Sequence, residues 1–510
     1  MRVGITGASA FVNRMFEACG TFQWAREFLI NSIEANATRV EFGIDWDGVE
    51  RNGVYRRTVA DDGTGMSADE LRTFFSTLGA GAKKIGGVHD NFGIGAKISS
   101  LPWNPDGVVV LSYKKGKGAM IWIRLDRDSG DYELKEWDDG QRKSVVIDPD
   151  EIDWSGEEHI TDFSALKPDW IGDHGTVILL VGDEVRGTVD TIQGNPDAAE
   201  ADIKGLSSYL NSRFWEMRGV DVYVHEVRSP HKQYWPRSLD DPEDNRRVNR
   251  RRIEGARYYI ESVNAKDASL TAQGVMQVDE DRVDIYWALW SGDRPYVHSY
   301  ARRAGYVALR YKGELFDLTS SKHRFRNFGV VESKVQKNLF IIIEPKRFDS
   351  TNGRWGVHPD QSRNRLIFTG GTDKGVEVPV NDWGAEFALS MPEEILAAIR
   401  ASRGDSSGSI DDDEYRKRLQ DKFGSRWKVP KTIRKPEARD KAGADDGEHD
   451  VIEQGGREPG GGGGGKQTRA TRSGAQRVRR KTAVPGGPDT GESVVVDADI
   501  PVFKWVSGDD

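Results

Sequence analysis

The chain has 510 residues, enough for two or three domains, and 37% hydrophobic against 30% charged residues supports sizeable cores with a large polar fraction. The formal net charge of -9 excludes a protein that coats nucleic acid over its whole surface, and leaves room for a local basic patch. A lone cysteine, Cys19, excludes an intrachain disulfide framework and a cysteine-based zinc site, and fits a reducing compartment.

The opening MRVGITGASAF has one early Arg and no apolar run of signal-peptide length. The longest apolar runs, Val177–Val181 and Leu339–Ile343, are strand length, well short of the roughly 20 residues of a membrane helix. The expectation is a cytoplasmic protein with no membrane partner. Trp24–Val40, WAREFLINSIEANATRV, predicts a helix with Phe28, Leu29, Ile30 and Ile33 as its apolar positions. Glu27, Asn31 and Glu34 stack along one stripe of it, being three and four residues apart. A carboxylate and a carboxamide one turn apart can hold a water and a hydrated metal ion side by side; the same stripe also suits a solvated helix face.

Arg39–Asp45 alternates as a half-buried strand, and Val54–Ala60 predicts a second strand running into Asp61-Asp62-Gly63-Thr64-Gly65-Met66. Ser67-Ala68-Asp69-Glu70 reads as a capping box opening a helix through about Leu78. Gly79–Asn91 is glycine-rich and polar and reads as a mobile loop, after which Phe92-Gly93-Ile94-Gly95 opens a short helix stopped near Pro102. Strands are expected at Val108–Tyr113, Ala119–Leu125 and Val177–Val181, the last opened by His174-Gly175-Thr176, with a mixed insertion over 126–172. A helix at about 199–218 and a strand at Val220–Val227 complete a first domain, 1–228. Residues 229–252 are polar and Arg-rich and read as a linker. A second domain, 253–400, is expected to carry strands at Tyr258–Val263, Val283–Leu289, Tyr306–Tyr311 and Leu339–Glu344. From 401 to 510 the Gly, Asp, Arg and Pro content predicts a mostly disordered tail, with a helix at 411–423 and an apolar stretch at Val494–Val506 that could dock as a strand. Lys466–Lys481 carries seven Lys or Arg and no acid; such a tract suits electrostatic contact with nucleic acid and equally a soluble tail.

Three glycine elements carry the chemistry. In Asp61-x-Gly63-x-Gly65 the glycines allow a tight turn and close backbone approach, and the carboxylate can accept from an exocyclic amine such as adenine N6. Gly93-Ile94-Gly95 at a helix start offers free N–H groups to phosphates, with Lys97 adding charge. The Thr176 hydroxyl at a strand start can face the same pocket. Each alone is also an ordinary turn or strand signal.

Together, Glu27-x-x-x-Asn31, Glu34-Ala35-x-Ala37-Thr38, Asp61-x-Gly63-x-Gly65, Phe92-Gly93-x-Gly95 and Gly175-Thr176 resemble the GHKL ATPase superfamily: gyrase B, heat-shock chaperones, MutL proteins, histidine kinases and MORC proteins. The resemblance covers about residues 20–225. It implies an α+β protein: a Bergerat-type α/β sandwich with a mixed sheet, ATP held between helices, and a mobile lid over 76–95. On this resemblance Glu27 is the general base, Asn31 the Mg2+ ligand, and Asp61 the adenine acceptor assisted by Thr176. Gly63, Gly65, Met66, Gly93, Ile94 and Gly95 line the nucleotide, with Lys83 or Lys84 touching phosphate on closure. Glu34 stands where many relatives have Asp. Mg2+ keeps several waters and takes phosphate oxygens, so one Asn suffices. More weakly, 253–400 resembles the ribosomal S5-type transducer, with Val357-His358-Pro359 followed by Phe368 similar to the MutL end of that domain. There a basic residue reaches the γ-phosphate, a role open to Arg363 or Lys322, though Arg363 suits a surface charge as well.

The reading is therefore an ATPase with Mg2+ that uses lid closure and nucleotide-dependent homodimerisation as a switch, in a chaperone-like or nucleic-acid-remodelling role. A nucleotide-gated scaffold with little turnover is the alternative. A histidine kinase is disfavoured, since the residues ahead of Trp24 contain no His. The absence of G-x-x-x-x-G-K-[ST] and of an H-R-D loop excludes P-loop enzymes and eukaryotic-type protein kinases.

Overall fold

The computed structural model describes residues 8–17, 19–76, 95–138, 143–156, 158–191, 205–227, 248–262, 264–265, 268–291, 304–346, 356–360, 365–368, 375–403 and 417. The chain falls into two compact units, Met1–Arg439 and Asp440–Asp510, and every described residue belongs to the first. The basic tract 466–481, the Val494–Val506 stretch and nearly all of 411–423 lie outside the described residues.

Helices α1 (Ala8–Phe16) and α2 (Gln23–Glu34) precede strand β1 (Arg39–Ile44). α3 (Trp46–Asn52), β2 (Arg57–Asp61), α4 (Ala68–Ser76) and α5 (Gly95–Ser100) follow, then β3 (Gly107–Lys114), β4 (Lys117–Leu125) and β5 (Tyr132–Leu134). A small hairpin, β6 (Trp137–Asp138) with β7 (Lys143–Ser144), leads to β8 (Gly175–Gly182), α6 (Gly205–Arg213), β9 (Asp221–Val227) and β10 (Val248–Arg252). Eight of these strands form one sheet in the order β10-β9-β1-β2-β8-β3-β4-β5. β1 and β9 run parallel and the other neighbours antiparallel, so the sheet is mixed.

Period-two alternation places a core on each face of this sheet. Val108 and Val110 of β3 with Ile121 and Ile123 of β4 pack beneath α2 residues Trp24, Ala25, Phe28 and Leu29. The intervening Val109, Leu111, Met120 and Trp122 pack on the other face against Trp154, Phe163 and Leu166. Trp154, Phe163 and Leu166 of the insertion thus cover the second face, while its Tyr132, Leu134, Val145 and Val146 join the first core.

A second sheet has the order β11 (Asn264–Ala265), β12 (Ala268–Val278), β13 (Val283–Ser291), β16 (Leu339–Pro345), β14 (Val307–Tyr311), β15 (Glu314–Thr319). A two-stranded pair, β17 (Val357–Pro359) with β18 (Leu366–Phe368), sets Val357 opposite Phe368. Alternation again splits the core: Ile341 and Ile343 pack with Phe325, Trp383 and Phe387, while Phe340 and Ile342 pack with Trp215 and Ile260.

The structure corrects several expectations. The opening helix ends at Glu34, not Val40. Asn36 takes φ +60°, and Ala37 N–H donates to Ser32 O at 3.0 Å, which turns the chain into β1. Ile33 is exposed on that helix rather than buried. Tyr258–Val263 is not a strand: Ala256–Glu261 is a helix. Ala256, Tyr259 and Ile260, at helical spacing, turn inward while Tyr258 stays out. The C-terminal part of the expected linker is strand β10, whose arginines meet carboxylates across the sheet: Arg250 with Glu41, Arg251 with Glu226, Arg252 with Asp221. Among the described residues no helix is long and apolar enough to cross a membrane.

Candidate functional site

Helix α2 buries the side that carries Trp24, Phe28 and Leu29, and Glu27 goes in with it, 2% exposed. A buried carboxylate needs donors. Glu27 Oε1 accepts from Gln23 Nε2 and from Arg26 Nη1, both at 2.7 Å. The first residue of α5 lies against the other oxygen: a Cβ at Gly95 would run into Glu27 Oε2, so only glycine lets the helix start come this close to the carboxylate. Asn31, one turn along α2, is half-buried, and Glu34 is exposed.

Strand β2 delivers Asp61 to the sheet end beside α2. Its Oδ2 accepts from Ser32 Oγ at 2.9 Å, and its Oδ1 from Gly63 N–H at 2.9 Å. Burial pushes the Asp61 carboxyl up to about 6; the Gly63 N–H and the Ser32 hydroxyl pull the other way, and the neighbouring Asp62 adds to the rise. Thr64 N–H donates to Ala35 O at 3.0 Å, tying the glycine turn to the end of α2. Gly65 takes φ +61°, and a Cβ there would collide with Tyr113 O, so this turn excludes any side chain. Thr176 sits opposite Asp61 on one side and opposite Ser112 on the other. The Thr176 and Ser112 hydroxyls are 3.1 Å apart, and Met66 N–H donates to Ser112 Oγ at 2.8 Å.

The fold therefore brings Asp61, Gly63, Gly65, Met66 and Thr176 together at one end of the sheet, with Ser32 of α2, next to Asn31, bonded to Asp61. Lys83, Lys84, Gly93, Ile94 and Arg363 lie outside the described residues. Lys322 is exposed at the first position of helix Lys322–Asn327. Lys97 is not turned outward as a solvated charge. It is 3% exposed, donates from Nζ to Phe74 O at 2.6 Å and lies over the Phe74 and Phe75 rings. Burial brings its pKa down to about 7. It links the end of α4 to the start of α5. Sequence reasoning missed Ser32 and Ser112, whose hydroxyls carry no pattern of their own, and Arg26, whose main partner is 288 residues away.

Residues 24–146 match the family model described as histidine kinase-, DNA gyrase B-, and HSP90-like ATPase. Among solved structures, the chain is similar to the 43K ATPase domain of Thermus thermophilus gyrase B, crystallised with an aminocoumarin. The identity is 12% and the TM-score 0.35, over 80% of this chain and 91% of that chain. The search of curated proteins gave no match. Residues 24–146 thus carry a module of the histidine kinase-, DNA gyrase B-, and HSP90-like ATPase type.

Proposed function

We propose that this protein is an Mg2+-dependent ATPase that uses the hydrolysis cycle as a conformational switch, with the second sheet as transducer. The observation that carries the reading is the pairing of two buried carboxylates with different surroundings: Asp61 held by a hydroxyl and a backbone N–H, and Glu27 against the glycine start of α5. Asp61 accepts from adenine N6, the turn at Gly63–Gly65 admits the nucleotide against bare backbone, and Thr176 supports the same edge. The N–H groups at the head of α5 face the phosphates. The donor set suits Mg2+: Asn31 offers one carboxamide oxygen beside Glu27, and the remaining ligands are phosphate oxygens and waters. When bound, Mg2+ neutralises phosphate charge. Glu27 orients a water whose oxygen attacks the γ-phosphorus. The bond to the β,γ-bridging oxygen breaks, its electrons leave on ADP, and the water proton passes to the Glu27 carboxylate.

Purified protein is expected to release phosphate from ATP with Mg2+ and to stop when the metal is chelated. Nucleotide binding with no phosphate release above background would instead leave the gated-scaffold reading. Closure of the segment between α4 and α5 over ATP, with dimerisation through the ATP domain, completes the switch. Light scattering with a non-hydrolysable ATP analogue is expected to show a doubled mass, and an unchanged mass would remove the dimer from the scheme.

A further inference from the structure

Arg26 joins Glu27 to the second sheet. Its Nη1 donates to Glu27 Oε1 at 2.7 Å. Its Nε and Nη2 grip Glu314 at the start of β15, at 2.7 Å to Oε2 and 2.6 Å to Oε1. All three side chains are nearly sealed from solvent, at 3%, 3% and 7% exposure. Arg213, at the end of α6, donates to Glu314 Oε2 at 3.2 Å and stacks on Phe316. Burial works against the Arg26 charge, but Glu314 and then Glu27 outweigh it, and its pKa stands above the ordinary guanidinium value.

A guanidinium has a fixed planar fork, so the edge spent on Glu314 dictates which nitrogen remains for Glu27. Glu314 takes the two-nitrogen edge, and Glu27 receives one nitrogen of Arg26 beside its bond from Gln23 Nε2. The position of the β14–β15 hairpin is thereby written onto the orientation of one carboxylate in the nucleotide domain.

We propose that Glu314 is a positioning residue for hydrolysis: it holds Arg26 so that only one guanidinium nitrogen bears on Glu27, at Oε1, and the carboxylate keeps the orientation that meets the attacking water. The inference rests on the reading of Glu27 as general base. If Glu314 loses its charge, the Arg26 fork turns to Glu27, the carboxylate left to it. Glu27 is then gripped through both oxygens and drawn off the water. Movement of the hairpin in the second sheet has the same effect, so the transducer sets the hydrolysis rate through this triad.

The test uses the full chain, with single-turnover hydrolysis and calorimetric ATP affinity on each variant. Glu314→Gln is expected to cut the rate about tenfold at unchanged ATP affinity, the scale of a small misplacement of a catalytic group. Glu314→Asp keeps the charge and is expected to fall between Gln and wild type. In an Arg26→Gln background, Glu314→Gln is expected to add no further loss, because its effect passes through Arg26. Glu314→Gln at the wild-type rate, or a loss that adds fully to that of Arg26→Gln, overturns the proposal while Glu27→Ala remains inactive. A Glu27→Ala variant that hydrolyses normally overturns the general-base reading and this inference with it. Should Glu314→Gln fail to bind ATP, Glu314→Asp decides: a reduced rate at wild-type affinity supports the role, and a wild-type rate ends it.

Discussion

Glu27→Ala is expected to lower the single-turnover rate of ATP hydrolysis by about 10²–10⁴-fold while ATP binding is kept or strengthened. The loss follows from removing the group that takes the water proton. On the proposed assignment binding survives, because Asp61 and the Gly63–Gly65 turn do the holding and one negative charge beside the triphosphate is gone. The fold tolerates the change better than most buried-charge deletions. Arg26 keeps its two-point contact with Glu314, so no cation is stranded in the core. Asn31→Ala is expected to impair binding and hydrolysis together, since it takes away a metal ligand. Hydrolysis at the wild-type rate in Glu27→Ala would refute the catalytic assignment.

Asp61→Asn is expected to abolish ATP binding. Both Asp61 oxygens already accept, one from Ser32 Oγ and one from Gly63 N–H. A carboxamide keeps its oxygen on Gly63 N–H and turns its NH2 to Ser32 Oγ, whose hydroxyl donates to Phe28 O, so a donor stands where the carboxylate offered an acceptor. It also removes the charge that meets the adenine amine. The wild-type protein carries a matching pH signature. Asp61 titrates at about 6, raised from its ordinary value mainly by burial. Adenine N6 donates and therefore selects the ionised form, so ATP affinity is full above pH 6 and falls as the pH drops through it. At pH 5 the affinity is expected to be about tenfold weaker than at pH 7. Calorimetry that gives equal affinity for ATP and GTP, or a flat profile from pH 5 to 7.5, would remove Asp61 from the adenine site.

What the sequence made legible is what local pattern encodes. The strand Gly175–Gly182 and the core strand Leu339–Pro345 show as apolar runs, and Ser67 with Glu70 forms the capping box their spacing predicts. Asp61, Gly63, Gly65 and Thr176 are ordinary turn and strand signals one by one, and stand out only because their combined pattern resembles the GHKL ATPases. The rest depends on partners that spacing does not reveal. Val248–Arg252 looks like a solvated linker until its arginines find carboxylates on β1 and β9. Tyr258–Val263 looks like a strand, since Tyr and Ile favour sheets, until Trp215 supplies a surface for the helix Ala256–Glu261 to cover. Lys97 reads as charge added to the phosphate site until Phe74 and Phe75 enclose it.

The seam between the two sheets is made of main chain as well as side chains. Trp215 N–H donates to Gly313 O at 2.8 Å, and Phe214 bridges Glu314. Ala256 N–H and Arg257 N–H return to Phe214 O and Trp215 O at 2.8 and 2.9 Å. A chain cut after Arg252 would strip the cover from Trp215 and leave those carbonyls without donors, so the nucleotide-binding half is not a cassette that recombination can move by itself. The two halves must be inherited together, and a substitution at the seam in one of them selects for its counterpart in the other.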